Sequence, residues 1–164
     1  MIIYATGFDA VTGGFDRIDI RGEGGRSLKD KWADGPITYL GLQFAGFPNL
    51  LSLVGPHSSG TFCNIPRCIE HNVEWVTELL DHCRSRGITR IATTEKAEDS
   101  WTDHVHDMAE TLLLSKVNSW FTGINANIEG KESKRRFLLY AGGSPKFRKT
   151  CAEVAADEYR GFEL

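Results

Sequence analysis

The residues best placed to bind a ligand lie where a buried apolar run gives way to a helix. Residues 50–54 are apolar except for Ser52 and lead into Gly55-Pro56, a polar stretch and a helical pattern that begins at Ile65. A helix N-terminus presents unpaired N–H groups and the positive end of the helix dipole, so it attracts an anion. The same pattern also fits a strand-to-helix connection that binds nothing.

Two further segments combine apolar residues with turn formers. Residues 5–9 predict a strand that ends in a Thr-Gly turn, where a backbone can approach a nucleotide in an α/β sheet, or an ordinary strand end. Residues 119–131 form a polar loop that carries Trp120 and Phe121. These aromatic side chains either anchor the loop on the core or form part of a lid over a substrate.

The cysteines favour core packing over a metal centre. Cys63, Cys68 and His71 match the spacing of no zinc finger or ribbon, so no metal site is predicted. Because the four cysteines form no CxxC pair and lie in apolar segments, we expect free thiols in a reducing cytoplasm.

Other titratable residues are typical of a solvated surface. His104 and His106 are two residues apart in a helical pattern, cannot face one metal and are expected in solvent. The basic run 131–136 could meet a cofactor phosphate but is more typical of a solvated loop. The chain has no GxGxxG and no nucleophile beside a base, so we assign no catalytic residue.

Three amphipathic helices and several short strands are expected to position these segments. In each helix, apolar residues recur every three or four positions between a capping residue and a glycine or loop. The predicted helices cover 65–86, 97–112 and a stretch from Ser144-Pro145 to Gly161, with a shorter one from a Ser27 cap to Trp32. The predicted strands cover 38–42, 50–54 and 137–141, with a hairpin-like excursion at 15–20.

Composition excludes several classes of protein. The net charge of -3 and pI near 5.9 give no attraction to a nucleic-acid backbone. The longest apolar run is far shorter than the roughly 20 residues that cross a bilayer, and no signal-peptide pattern opens the chain. With 164 residues, 41% of them apolar, we expect a soluble, non-exported domain or part of one.

Six motifs, in register over nearly the whole chain, resemble the C-terminal part of Baeyer-Villiger monooxygenases, and in particular the phenylacetone and steroid-type branch. The motifs are Ala-Thr-Gly-Phe-Asp at 5–9, Asp-Ile-Arg-Gly at 19–22, Thr-Tyr-Leu-Gly-Leu at 38–42, Ala-Gly-Phe-Pro-Asn-Leu at 45–50, Val-Glu-Trp-Val-Thr at 73–77 and Ser-Trp-Phe-Thr-Gly at 119–123.

The resemblance implies an enzyme that binds FAD, is reduced by NADPH and forms a C4a-peroxyflavin that attacks a ketone, giving an ester or lactone with O2 as co-substrate. The implied fold is α/β: the C-terminal part of an FAD-binding Rossmann-like domain with short strands and three main helices. Residues 1–10 would return from the NADP-binding domain, and 11–164 would belong to the FAD-binding domain.

Specific residues follow from the same resemblance. The expected flavin contacts are Gly55, Pro56, Asn64 and Ile65. The expected wall of the ketone pocket is Gly60, Thr61 and Phe62. Trp120 would lie on the mobile loop that closes over NADP.

Other family features are missing from these residues or differ. Both Gly-rich turns, the FxGxxxHxxxW fingerprint and the arginine that assists the reaction are expected upstream, and Glu129 replaces the usual proline of the closing loop. We therefore expect the chain alone to be inactive and to need the upstream FAD and NADP domains as partners. Without them, its exposed apolar surface could let it self-associate. The alternatives are a flavin enzyme that oxidises nitrogen or sulfur, and a non-catalytic interaction module that reuses the fold.

Overall fold

A computed structural model describes residues 1–3, 10–59, 63–124 and 135–164. In these ranges the α-helices are α1 (Gly13–Asp16), α2 (Leu28–Lys31), α3 (Ile65–Ser85), α4 (Glu95–Glu110) and α5 (Ser144–Ala156). Short 3-10 helices cover Glu23–Gly25, Leu113–Lys116 and Trp120–Thr122, and the two strands are β1 (Ala92–Thr93) and β2 (Phe162–Glu163). No helix within the described ranges is both long and apolar enough to cross a bilayer.

The three main helices confirm the periodicity of the sequence. Asn64 caps α3 by accepting a hydrogen bond from the Arg67 amide, and Pro66 lies in its first turn. Gly87, with φ of +67°, ends α3 in the left-handed conformation that glycine tolerates. Thr94 caps α4 by accepting from the Ala97 amide. The start of both helices and the end of α3 were therefore readable from sequence, whereas α4 ends at Glu110, two residues before the predicted end.

The C-terminal segment departs slightly from expectation. Helix α5 opens at Ser144 with Pro145 in its first turn, as predicted, but ends at Ala156 rather than near Gly161. Glu158 and Tyr159 then take positive φ values, and the chain turns back so that β2 pairs antiparallel with β1. The Tyr159 ring lies in the core, which explains why the chain turns instead of continuing the helix.

The strands predicted at 38–42, 50–54 and 137–141 do not form as strands, and neither does the hairpin-like excursion at 15–20. Residues 38–51 instead hold isolated bridges, Tyr39 with Gln43 and Gln43 with Leu51, between left-handed turns. Phe15 belongs to α1. A strand needs a continuous neighbouring strand, and the described residues offer these segments only loop backbone as hydrogen-bonding partner.

The main core lies between α3, α4, α5 and the turn at 39–42. Its fully buried side chains include Leu79 of α3, Val105 of α4 and Phe147 of α5, packed around Tyr140. The Trp75 indole donates a hydrogen bond to the Cys151 carbonyl at 2.9 Å, which joins α3 to α5. Helices α3, α4 and α5 therefore form a frame, and the loops pack against it.

A buried ion pair attaches the N-terminal part to this frame. Lys31 at the end of α2 lies 2.7 Å from Glu98 of α4, and both side chains are almost completely buried. Glu98 also accepts a hydrogen bond from the Ala45 amide at 2.9 Å. Burial raises the pKa of Glu98, opposed by the Lys31 ammonium. The second acceptor contact helps to offset the desolvation cost of this pair.

Candidate functional site

Segment 55–59, between the apolar run and α3, is buried and tightly packed. A side chain at Gly55 would meet the Gly41 carbonyl oxygen and the Ser52 Oγ, each at 2.7 Å. Gly41 has φ of +66°, and a side chain there would meet the Ser58 amide at 2.5 Å. The two glycines therefore let the 39–43 turn and segment 55–59 approach each other. Contacts within the chain are sufficient to explain both residue types.

His57 is the polar centre of this segment. It is completely buried, has φ of +65°, and its Nδ1 lies 3.2 Å from the Thr38 hydroxyl. Its ring packs edge-on against His106, with centroids 5.7 Å apart. Burial and then the His106 charge lower the pKa of His57 to about 3. This imidazole is therefore neutral near pH 7 and serves as a structural rather than a charged group.

An extended stretch at 137–140 joins segment 55–59 to the Trp120 turn. The His57 amide donates to the Leu138 carbonyl at 2.8 Å, and the Leu138 amide donates to the Phe121 carbonyl at 2.8 Å. The Tyr140 amide donates to the Ser58 carbonyl at 3.3 Å. Segment 55–59 and the Trp120 turn are more than sixty residues apart in sequence. Both are hydrogen-bonded to residues 137–140, which lie between them.

Trp120 and Phe121 differ in their contacts, although the sequence left open for both whether they anchor the loop or form part of a lid. Phe121 packs against the buried cluster that contains Phe137, Leu138 and Leu139. The Trp120 ring stacks on Phe121 with centroids 3.9 Å apart and stays 41% exposed. Phe121 therefore anchors the loop on the core, and the Trp120 ring presents an exposed aromatic face.

The N-terminus of α3 has two backbone donors to offer. The Arg67 amide donates to the Asn64 Oδ1 at 3.4 Å, and Pro66 has no N–H. The Asn64 and Ile65 amides have no acceptor among the described residues. Asn64 and Ile65 are also exposed. The positive end of this 21-residue helix therefore offers two adjacent amides, and the anion site there stays a prediction.

Some predicted positions lie outside the described residues. These are the Thr-Gly turn at 5–9, the expected ketone-pocket wall of Gly60, Thr61 and Phe62, and residues 125–134 of the loop and basic run. At the end of that run, Arg135 donates to the Asn118 side chain and Arg136 to the Asp34 carbonyl.

Two expectations about side chains were wrong. Cys63 and Cys68 are paired with each other across the start of α3 rather than free, while Cys83 and Cys151 are free and buried. His104 and His106 are partly buried rather than solvated, and burial lowers the pKa of both. Their neighbours on other elements cover them, which helical spacing alone does not show. In the described ranges no group of acidic, histidine and cysteine residues could hold a metal.

Sequence reasoning missed the structural importance of His57 and Leu138. His57 acts through its ring as well as its backbone amide, Leu138 acts through its backbone groups, and neither belongs to a motif. The only available signal was the strand predicted at 137–141, which does not form and cannot name the partners of this segment.

Known proteins include relatives that match the whole chain. No protein-family model matches the chain. Over its whole length it is 46% identical to 2-oxo-Delta(3)-4,5,5-trimethylcyclopentenylacetyl-CoA monooxygenase of Pseudomonas putida and 42% identical to an acetone monooxygenase of Gordonia. It is 41% identical to a phenazine N-monooxygenase of Lysobacter antibioticus, and it spans about 30% of the length of these relatives.

Solved structures give the same result. A crystal structure of OTEMO in complex with FAD and NADP matches 98% of the chain, at 45% identity and a TM-score of 0.89, over 29% of its own length. The cyclohexanone monooxygenase of Rhodococcus bound to NADP+ matches 97% of the chain, at 42% identity and a TM-score of 0.89, over 29% of its length.

Over its whole length the chain is therefore similar to one segment of known monooxygenases. Along its full length the chain is homologous to Baeyer-Villiger monooxygenases.

Proposed function

We propose that this chain belongs to an FAD- and NADPH-dependent monooxygenase that converts ketones to esters or lactones. The observation that carries the proposal is the pair of amide donors at the start of α3 that find no acceptor among residues 1–3, 10–59, 63–124 and 135–164, in a chain homologous throughout to such enzymes. FAD, when bound, would supply oxygen activation, and NADPH would supply the electrons.

The start of α3 is a suitable place for the flavin. A reduced flavin carries negative charge at its pyrimidine end, and the Asn64 and Ile65 amides offer two donors together with the helix dipole. Gly55 and Pro56 are buried by the chain itself, so we propose that they support this edge and contribute only backbone atoms to the flavin pocket. No charged side chain of the described residues is needed for this contact.

The remaining residues are proposed in supporting roles. Trp120 offers an exposed aromatic face for the nicotinamide nucleotide, held in place by Phe121. Gly60, Thr61 and Phe62 would form one wall of the ketone pocket. We place residues 1–10 in the return from the NADP-binding domain and 11–164 in an FAD-binding Rossmann-like domain of a cytoplasmic protein.

Exposed apolar side chains support the proposal that further domains pack against this chain. Leu53, Val54, Ile65 and Val73 are 39–49% exposed along α3 and the run before it. Burying such side chains stabilises a protein by about 1.5–3 kcal/mol each when burial is complete. We propose that the FAD and NADP domains of the same protein cover this surface, and that the chain alone self-associates through it.

The reaction is tested with the complete protein, NADPH and a panel of cyclic, aryl and steroid ketones. NADPH oxidation is followed by absorbance, and the ester or lactone is identified by mass spectrometry. Ketone-dependent product is expected. Protein that holds FAD yet converts none of these ketones would contradict the proposal.

A second candidate reaction rests on the phenazine N-monooxygenase, which is as similar to the chain as the ketone enzymes are. Amines, thioethers and phenazines are therefore assayed beside the ketones. An N-oxide or sulfoxide as the main product, with no ester, would assign the protein to that reaction instead.

The flavin contact has a test that does not depend on turnover. Ile65→Pro removes one of the two free amides, and both the first helical position and the extended Asn64 backbone tolerate proline. We expect FAD to bind the complete protein about tenfold more weakly, because a hydrogen bond to a charged group contributes about 1.5–3 kcal/mol. Ile65→Ala keeps the amide and is the matched control. Equal weakening by both variants would mean that the side chain, not the amide, makes the contact.

A further inference from the structure

A disulfide bridge closes the start of α3. Cys63 precedes the helix cap Asn64, and Cys68 lies in the helix, five positions further along the chain. The Cys68 amide donates a hydrogen bond to the Asn64 carbonyl at 3.1 Å, so the bridge encloses the first hydrogen-bonded turn. The enclosed residues include Asn64 and Ile65, whose amides have no acceptor in the described ranges. One covalent link therefore spans both backbone donors.

The bridge is poorly suited to be a structural cross-link. It joins cysteines only five positions apart, and a short loop gains least from being closed. The turn that it encloses is already held by the Asn64 cap and by Pro66 in the first turn. In a cytoplasmic protein, as proposed above, disulfides are usually catalytic or redox-sensing rather than structural. A reversible bridge therefore explains this position better than a permanent one.

The two sulfur atoms lie in environments that favour thiol–disulfide exchange. Cys63 is partly exposed, whereas Cys68 is 2% exposed, so a thiolate from solution reaches Cys63 and displaces Cys68. The departing Cys68 sulfur lies in the first turn of α3, 3.7 Å from the Ser144 hydroxyl, and that turn contains no acidic residue. The helix dipole and this hydroxyl stabilise its negative charge, which makes the bridge easier to break.

We infer that Cys63 and Cys68 form a redox switch that exchanges with a low-molecular-weight thiol such as glutathione. A glutathione thiolate attacks the Cys63 sulfur, the bridge breaks, and Cys68 leaves as a thiolate. A second glutathione thiolate attacks the glutathione sulfur of the mixed disulfide, which releases oxidised glutathione and the Cys63 thiolate. Each cysteine then takes up a proton, and the two electrons that reduce the bridge come from the two glutathione molecules.

The effect of the switch rests on the flavin contact proposed above. In the oxidised protein the bridge fixes the backbone between Cys63 and Cys68, so the Asn64 and Ile65 amides are in place before the flavin arrives. In the reduced protein this turn regains freedom that flavin binding must remove. The reduced protein should therefore bind FAD about fivefold more weakly than the oxidised protein, because ordering a loop on binding costs affinity.

The exchange is tested by equilibrating the complete protein in buffers that range from reduced to oxidised glutathione. Thiols are then trapped with iodoacetamide in denaturant, and the labelled peptides are mapped by mass spectrometry. Cys63 and Cys68 should gain the label together as the buffer becomes more reducing, whereas the buried thiols of Cys83 and Cys151 should carry it in every buffer. Cys63 and Cys68 labelled in the most oxidising buffer, or unlabelled in the most reducing one, would overturn the switch.

The effect on the flavin is measured by titrating the complete apoprotein with FAD in the most oxidising and the most reducing buffer, with flavin fluorescence as the readout. The parent protein should show the expected difference in affinity. Cys63→Ser changes a partly exposed side chain and prevents the bridge, so it should bind FAD like the reduced parent in both buffers. Cys68→Ser is its matched control and should behave in the same way. Redox-dependent FAD affinity in either variant would overturn the inference.

Failure of the switch is distinguishable from failure of the flavin contact. A bridge that forms and breaks while the parent binds FAD equally in both buffers would overturn the switch. Weaker FAD binding by Ile65→Pro than by Ile65→Ala would still support the contact in that case. If the Ile65→Pro effect were absent as well, the flavin contact itself would be wrong.

Discussion

Segment 55–59 and the start of α3 are neighbours in sequence but opposite in physical character. The first is buried, with its glycine, histidine and serine committed to contacts within the chain. The second is exposed, and its Asn64 and Ile65 amides have no acceptor in the part of the chain that the structure describes. Segment 55–59 thus packs within the chain, although the His57 Nε2 and Ser59 Oγ atoms have no hydrogen-bond partner among the described residues, whereas the start of α3 faces solvent. Such an arrangement is expected of a binding edge, because preorganised donors need no rearrangement when a ligand arrives.

The largest effect should come from breaking the close approach inside the buried segment. In Gly41→Ala, a side chain would meet the Ser58 amide in addition to the strain of positive φ. We expect the free energy of unfolding to fall by about 3–5 kcal/mol, from left-handed strain and overpacking together. Urea denaturation measures this change.

Gly46→Ala is the control for Gly41→Ala. Gly46 also has positive φ, +81°, but a side chain there meets nothing within 4 Å. Strain alone should therefore cost about 1–2 kcal/mol. Equal losses in the two variants would show that the 39–43 turn does not press on segment 55–59.

A smaller effect should appear in the pH dependence of stability. His57 has a pKa of about 3 when folded and about 6.5 when unfolded, so between these values only the unfolded chain binds the proton. Stability contributed by neutral His57 is complete above pH 6.5 and is lost as the pH falls toward 3. Between pH 7 and pH 5 the loss from this residue is about 2 kcal/mol.

The His57→Asn variant isolates that contribution, since asparagine tolerates the left-handed backbone. Its loss of unfolding free energy between pH 7 and pH 5 should be about 2 kcal/mol smaller than that of the parent chain. Thr38→Val, which removes the hydroxyl 3.2 Å from Nδ1 but keeps the imidazole, should retain the pH dependence. An identical pH response of His57→Asn and the parent would contradict the burial of His57.

The smallest effect is expected at the exposed aromatic face. Trp120→Ala should change the free energy of unfolding by less than about 1 kcal/mol, because its ring is exposed and mainly stacks on one neighbour. Phe121→Ala, which removes the anchor from the cluster with Leu138, should cost about 2 kcal/mol. Thermal unfolding of both variants measures the contrast, and a larger loss in Trp120→Ala would reverse the assignment of anchor and exposed face.

The helices could be predicted from the periodicity of apolar residues in the sequence, but the pairing of backbone segments into strands could not. The helices at 65–85 and 95–110 followed from apolar spacing and caps, since both signals are local. The runs at 38–42 and 50–54 are apolar enough for strands, but whether they form strands depends on which backbone lies beside them. Here that backbone is a turn, held by left-handed Leu40 and Gly41.

The same division holds for the site. Asn64 and Ile65 followed from the family resemblance, which agrees with the attraction of a helix start for anions, and the described residues offer their amides no acceptor. The roles of Trp120 and Phe121 stayed open because the two residues are alike in type and adjacent in sequence. Only the cluster beneath Phe121 distinguishes them.

The sequence by itself determined the helices, their caps and the resemblance to flavin monooxygenases, because each depends on residue type and spacing along the chain. Only the tertiary structure decided that Leu138 joins His57 to Phe121 and that Lys31 pairs with Glu98. These contacts join residues far apart in sequence, and no local pattern specifies which distant groups the packed helices bring together.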